Sequence, residues 1–119
     1  MHVSIGTDII EVKRIKKAIE ANATFIEKIY TEKEKNYCES KKIQKFQSYA
    51  ARFAAKEAIY KALSDKIKKF EWTDFEVLNT ENGKPYVNLK ININNLKELN
   101  ISMSHCKEYA TAYVVAVFE

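Results

Sequence analysis

The sequence predicts an α+β fold: a small single domain, residues 1–119, with a mainly antiparallel sheet packed on a long central Ala-rich helix. Three observations carry this expectation. Ala50, Ala51, Ala54, Ala55, Ala58, Ile59, Ala62 and Leu63 recur at helical spacing and sweep out a very broad small-residue arc, as a helix at the protein's centre requires. Asn82-Gly83 sits between two short apolar runs, which marks a hairpin. Helical stripes fill the first half of the chain and strand-like runs the second, with one more strand-like run at the N-terminus.

The elements follow in order. Val3 and Ile5 alternate with Ser4 as in a half-buried strand, and Gly6-Thr7-Asp8 is expected to break it, leaving Asp8 at a strand end. Val12, Ile15, Ala18 and Ile19 then mark an amphipathic helix, which Asp8 would cap or favour through its dipole unless it serves as a ligand. Phe25, Ile26, Ile29 and Tyr30 form a second short stripe, and Thr31 with Glu34 has the spacing of a capping box opening a third helix. A turn in the polar stretch Ser40 to Gln47 precedes the Ala-rich helix, which should end near Leu63 before a lysine-rich connection. Phe75 to Leu78 and Tyr86 to Leu89 are the hairpin strands. Asn100 to His105 alternates, placing Ile101, Met103 and His105 on one face, and Ala110 to Phe118 has the β-branched richness of a last strand.

Composition narrows the function. Twenty basic residues against 16 acidic ones leave a formal charge of +4, with the two signs interspersed. Such a balance suits an anionic ligand or an acidic protein partner. It argues against nucleic acid, because the aromatics stand at core-like spacings and acidic residues interrupt every basic cluster. Cys38 and Cys106 have no metal-ligand spacing with His2 or His105 and read as free thiols. The longest apolar run, Ala112 to Phe118, is too short to cross a bilayer, and the N-terminus lacks the pattern of a signal peptide, so a cytoplasmic setting is expected.

On the central helix, Glu57 and Lys61 stand four residues apart at the edge of the small-residue arc. Spacing alone favours an ordinary i,i+4 ion pair; the alternative is a charged pair with room beside it for a ligand or a metal.

Four segments together resemble the small holo-acyl-carrier-protein synthases, the single-domain 4'-phosphopantetheinyl transferases. They are Ile5-Gly6-Thr7-Asp8-Ile9-Ile10-Glu11 with Arg14, Arg52-Phe53-Ala54-Ala55-Lys56-Glu57-Ala58 with Lys61-Ala62, Asn82-Gly83-Lys84-Pro85-Tyr86, and Ile101-Ser102-Met103-Ser104-His105. The resemblance extends over nearly the whole chain. It implies an Mg²⁺-dependent enzyme of fatty-acid biosynthesis that moves phosphopantetheine from coenzyme A to a serine of apo-acyl carrier protein, releasing adenosine 3',5'-bisphosphate.

The same resemblance implies the site. Asp8 and Glu57 would hold Mg²⁺, which suits an ion that takes one or two carboxylates plus substrate phosphates. Lys61 would join them in catalysis by touching the pyrophosphate. Arg52, Gly83, Pro85 and His105 would line the coenzyme A pocket, although His105 alone reads as a structural histidine and Gly83-Lys84-Pro85 as a plain hairpin tip. Arg14, Phe25 and Ile26 would meet the carrier protein, and sites would lie between the subunits of a homotrimer. Glu57, a water on the metal or a nearby side chain remain open as acceptors of the serine proton. Arg52 lies well round the helix from Glu57, so it would reach a different ligand group or a neighbouring subunit.

Overall fold

A computed structural model describes all 119 residues. The order is β1 (His2–Glu11), α1 (Val12–Ala21), α2 (Phe25–Ile29), α3 (Glu32–Ser40), α4 (Lys45–Leu63), β2 (Phe75–Asn79), β3 (Pro85–Leu89), β4 (Leu96–His105) and β5 (Tyr109–Phe118), with short 3-10 turns at Lys42–Gln44 and Trp72–Asp74. The strands form an antiparallel sheet in the order β1-β5-β4 and a separate β2-β3 hairpin. This is the expected α+β class.

α4 organises the core. Its C-terminal half sets Ala54, Ala55, Ala58, Ile59, Ala62 and Leu63 against Phe75 and Val77 of β2 and the even-numbered residues Ala112 to Phe118 of β5. Its N-terminal half sets Tyr49, Ala50 and Ala51 against Val12, Ile15, Ile29, Tyr30, Cys38 and Ala110. Small residues on α4 and β5 let backbones approach closely, which is why a helix of such low hydrophobicity can be central.

Two expectations about β1 are corrected. The strand does not break at Gly6-Thr7-Asp8; it runs on to Glu11, so Asp8 lies inside it, in register with Ala112 of β5. Asp8 does not cap α1 either, because the N-cap is Glu11 and no side chain serves the cap; the Val12 amide instead donates to the Glu108 carbonyl at 2.8 Å. Gly6 is required by packing. A Cβ there would overlap the Ala58 carbonyl oxygen and stand 3.0 Å from the Ala62 amide nitrogen, so only glycine lets β1 lie on α4.

The alternation in β1 is real but reversed. Ser4, Gly6, Asp8 and Ile10 take the α4 side, whereas Val3, Ile5 and Ile9 point outward with Tyr113 and Val115 of β5. Ile5 is 72% exposed and Tyr113 58%. The outer face is therefore apolar and bare along β1 and β5 in the single chain, whereas β4 gives it the polar Asn100, Ser102 and Ser104.

The capping box forms as expected: Thr31 Oγ1 accepts from the Glu34 amide and Glu34 Oε1 from the Thr31 amide. Glu34 does more than cap. It is fully buried, accepts from Val77 N at 2.8 Å, and pairs at 2.9 Å with the Lys56 ammonium, which also donates to the carbonyls of Trp72 and Phe75. Burial pulls the Lys56 ammonium below the usual lysine range, and Glu34 opposes that pull. All three ammonium donors are used, so α3, α4 and β2 are locked at one point. Lys56→Ala should destabilise the protein by roughly 3–5 kcal/mol, because the buried Glu34 loses its counter-charge and keeps only the Thr31 and Val77 amides. In urea unfolding, Lys56→Met combined with Glu34→Gln should cost clearly less than Lys56→Ala alone.

The hairpin loop is longer than a tight two-residue turn. Thr80 N donates to Lys84 O, Gly83 N donates to Thr80 O, and Gly83 takes φ +87°, the left-handed conformation that glycine adopts freely. Cys38 is buried and Cys106 exposed, and both are free; burial pushes the Cys38 thiol up to about 11. No helix is long and apolar enough to cross a membrane.

Candidate functional site

Asp8 comes from β1, and Glu57 and Lys61 come from successive turns of α4. The Gly6–Ala58 approach brings them together, since Asp8 is two residues beyond Gly6 and Glu57 immediately precedes Ala58. The Lys61 ammonium donates to the Thr7 carbonyl at 3.0 Å and to Asp8 Oδ1 at 3.3 Å. Lys61 thus pairs with Asp8 across elements and forms no i,i+4 ion pair with Glu57. The Glu57 carboxyl is raised from its ordinary value by burial and by the charge of Asp8, with Lys61 opposing. Two carboxylates are therefore held near each other with incomplete neutralisation, which costs free energy that a cation would recover. No group of three or more His, Cys, Asp or Glu side chains forms a fuller cage.

Arg52, Gly83, Pro85 and His105 gather elsewhere. They line one cavity of about 250 Å³, together with Tyr37, Lys41, Gln44, Ser48, Asn79 and Met103 among others. Arg52 is buried, with its guanidinium centre 4.1 Å from the centroid of the Tyr37 ring and a hydrogen bond to Asn79 Oδ1. His105, exposed at the end of β4, shares a 2.8 Å hydrogen bond between Nδ1 and Gln47 Oε1 of α4.

The two groups flank α4. Asp8 of β1, Ala112 of β5 and Met103 of β4 are register partners, so the carboxylate side and the cavity side stand two strand spacings apart, about 10 Å. Asp8, Glu57 and Lys61 do not line the cavity. One chain thus presents two separate groups of candidate residues on opposite edges of the helix.

Arg14 is exposed on α1. Phe25 and Ile26 are half-buried against the core cluster that holds Ile15, and Phe25 stacks on Phe53 at 6.2 Å between centroids. These three residues offer a mixed basic and apolar surface, although part of the aromatic area already serves packing.

Sequence reasoning missed the partners that hold these groups: Tyr37 and Asn79 against Arg52, Gln47 against His105, and Glu34 against Lys56. Only Glu34 carried a signal, its capping-box position. The cavity residues Tyr37, Lys41 and Gln44 fall in or beside the polar segment that read as a simple turn.

Comparison with known proteins places the chain. Residues 4–117 match the family model of the 4'-phosphopantetheinyl transferase superfamily. The holo-[acyl-carrier-protein] synthase of Ruminiclostridium cellulolyticum is 47% identical over 97% of this chain and 92% of its own length. Among solved structures, the holo-(acyl-carrier-protein) synthase of Bacillus anthracis in complex with CoA (3',5'-ADP) superimposes with a TM-score of 0.80 at 39% identity, covering 95% of this chain and 94% of that one. The ACPS-CoA complex of Chronobacterium ammoniagenes reaches a TM-score of 0.88 over 100% of this chain and 99% of that one, at 23% identity, and so speaks to the fold alone. With the α+β architecture, the family match and relatives similar over almost their full lengths, the chain belongs to the holo-[acyl-carrier-protein] synthases, enzymes of the 4'-phosphopantetheinyl transferase superfamily.

Proposed function

We propose that this domain, spanning residues 1–119, transfers 4'-phosphopantetheine from coenzyme A to a serine hydroxyl of apo-acyl carrier protein in an Mg²⁺-dependent reaction, releasing adenosine 3',5'-bisphosphate. The observation that carries the reading is the convergence of Asp8, Glu57 and Lys61, with the Glu57 carboxyl raised by burial and by Asp8. Asp8 and Glu57 are hard oxygen donors in the number Mg²⁺ accepts when diphosphate oxygens and water complete its shell. When bound, the ion supplies Lewis-acid stabilisation of charge on the phosphoryl and leaving oxygens.

The chain's own residues do the rest. Lys61, now resting on Thr7 O and Asp8, exchanges those contacts for the diphosphate and places a point charge beside it. Arg52, Gly83, Pro85 and His105 hold the nucleotide end, and alignment of the serine oxygen with the phosphorus then lowers the barrier by proximity. Arg14, Phe25 and Ile26, beside Lys13, Lys16 and Lys17, receive the acidic carrier protein. The setting is the cytoplasm and the pathway fatty-acid biosynthesis.

The half-sites on either edge of α4 and the exposed apolar residues of β1 and β5 support a homotrimer in which one subunit's carboxylates face a neighbour's cavity. Sedimentation at micromolar concentration should give three times the 13.8 kDa chain mass. Ile5→Asp should shift the species to monomer and depress transfer, since it charges the bare face. A wild type that stays monomeric removes the shared site.

The function itself is tested by incubating the protein with apo-acyl carrier protein, coenzyme A and Mg²⁺ and weighing the carrier. A gain of one phosphopantetheine mass is expected. No gain under any divalent metal, despite tight coenzyme A binding, would leave a binding protein and overturn the reading.

A further inference from the structure

Asn79 closes β2 at the lip of the cavity and is half-buried there. Its carboxamide works in two directions: Oδ1 accepts from the Arg52 guanidinium, and Nδ2 donates to the Gly83 carbonyl at 3.0 Å. One side chain thereby ties α4 to the β2–β3 loop, two elements that line the cavity from different sides.

Arg52 is otherwise loosely held. Its Nη1 reaches Ser48 Oγ only at 3.5 Å, its Nε is buried without a partner, and its guanidinium lies over the Tyr37 ring. A second cavity, of about 290 Å³, is lined by the same Tyr37, Arg52 and Asn79 together with Lys33, Val77, Leu78 and Tyr86. The guanidinium therefore has space around it in which to turn once its hydrogen bond to Asn79 is broken. An arginine that must be ordered at the moment of binding gives up rotamer entropy that an anchored one has already lost, and the fixed fork of a guanidinium is useful to a phosphate only if it is aimed.

We propose that Asn79 is a positioning residue that sets affinity for the nucleotide end of coenzyme A by holding the Arg52 charge in the wall of the first cavity. The inference rests on the coenzyme A reading of that cavity and acts on binding, not on the chemistry at Asp8, Glu57 and Lys61.

The test uses the full chain, with calorimetric binding of adenosine 3',5'-bisphosphate and steady-state transfer with coenzyme A. Asn79→Ala should weaken the bisphosphate and raise the coenzyme A KM by about tenfold, the effect of losing a part-buried hydrogen bond to a charged group, with kcat within about twofold. In an Arg52→Ala background the same change should add less than about twofold, because Asn79 acts through Arg52. A loss caused only by a loosened hairpin would instead be additive with Arg52→Ala. Should Asn79→Ala fail to fold, Asn79→Asp carries the test: it keeps the acceptor for Arg52 but cancels its charge, and should weaken the bisphosphate to the same degree. Unchanged bisphosphate affinity, additive losses, or a fall in kcat at constant KM overturn the proposal. A wild type that transfers and binds normally beside an unaffected Asn79→Ala sinks this inference alone, whereas a wild type that binds no bisphosphate sinks the reading of the cavity and the inference with it.

Discussion

Glu57→Gln and Asp8→Asn should each lower phosphopantetheine transfer by on the order of 10²–10³-fold, the scale of removing one preorganised electrostatic group from a reacting centre, while leaving the fold intact. Stability separates this outcome from structural damage. The Glu57 carboxyl is raised by burial and by Asp8. A carboxyl whose folded value lies above its unfolded one contributes stability that is fully present below the unfolded value and is lost as pH rises through the folded value. Above that folded value the charged Glu57 carboxylate is a cost to the empty protein, and Glu57→Gln should there equal or exceed the wild type in thermal stability. Its stability should also depend less on pH across the weakly acidic range. Asp8→Asn gives up only the half-exposed pair with Lys61, a contact of the kind worth a few tenths of a kcal/mol. Lys61→Ala should lose less, roughly 10²-fold, since it removes charge stabilisation but no metal donor. Rates by mass spectrometry, with melting curves from pH 4 to 8, decide the matter; a Glu57→Gln variant with native turnover, or one that unfolds, sinks the assignment.

Gly6→Ala should do comparable harm from a residue that touches no substrate. One methyl group placed against the Ala58 carbonyl and the Ala62 amide must lift β1 from α4, because neither obstacle is a side chain that can swing aside. Overpacking of this kind costs about 1–3 kcal/mol. The larger effect is geometric: β1 carries Asp8 and the Thr7 carbonyl, α4 carries Glu57 and Lys61, and a displacement of about 1 Å between catalytic groups can cost 10²-fold in rate. The expected signature is a fall in transfer of that order, partly recovered at high Mg²⁺ because a splayed carboxylate pair binds the ion more weakly. Ala58→Gly should not rescue it, since the clash is with backbone. Wild-type turnover in Gly6→Ala would show that the close approach has no part in building the site.

The contrast between Gly6 and Gly83 explains what was legible in the sequence. Both were read as punctuation. Gly83 earned that reading at φ +87°, with strands on either side where the short apolar runs placed them. Gly6 did not, because its reason is a neighbouring helix that no local pattern reveals. The Ala-rich helix, the capping box and the last two strands were legible because each has its own period or spacing. Arg52 falls inside the small-residue arc of α4 and Lys56 at its far edge, yet both are charged, and their burial became visible only with Tyr37, Asn79 and Glu34 in place. Asp8 and Glu57 were chosen by resemblance, and spacing supplied no route to their meeting, since the partner that joins them is the backbone of Ala58. The angular offset of Arg52 from Glu57 was readable, and it corresponds to the division of the groups between the two edges of α4.

The pairing of β1 with β5 has a kinetic consequence. His2 lies opposite Phe118, and β1 has no other strand beside it, so the outermost ladder joins segments at the greatest sequence separation the chain allows. Closing so large a loop costs entropy before any contact repays it, and high contact order slows folding toward the millisecond-to-second range. Formation of this ladder is expected to limit refolding, because the α-helical segment between the two strands, packed around Tyr49 and Ile15, has shorter loops to close.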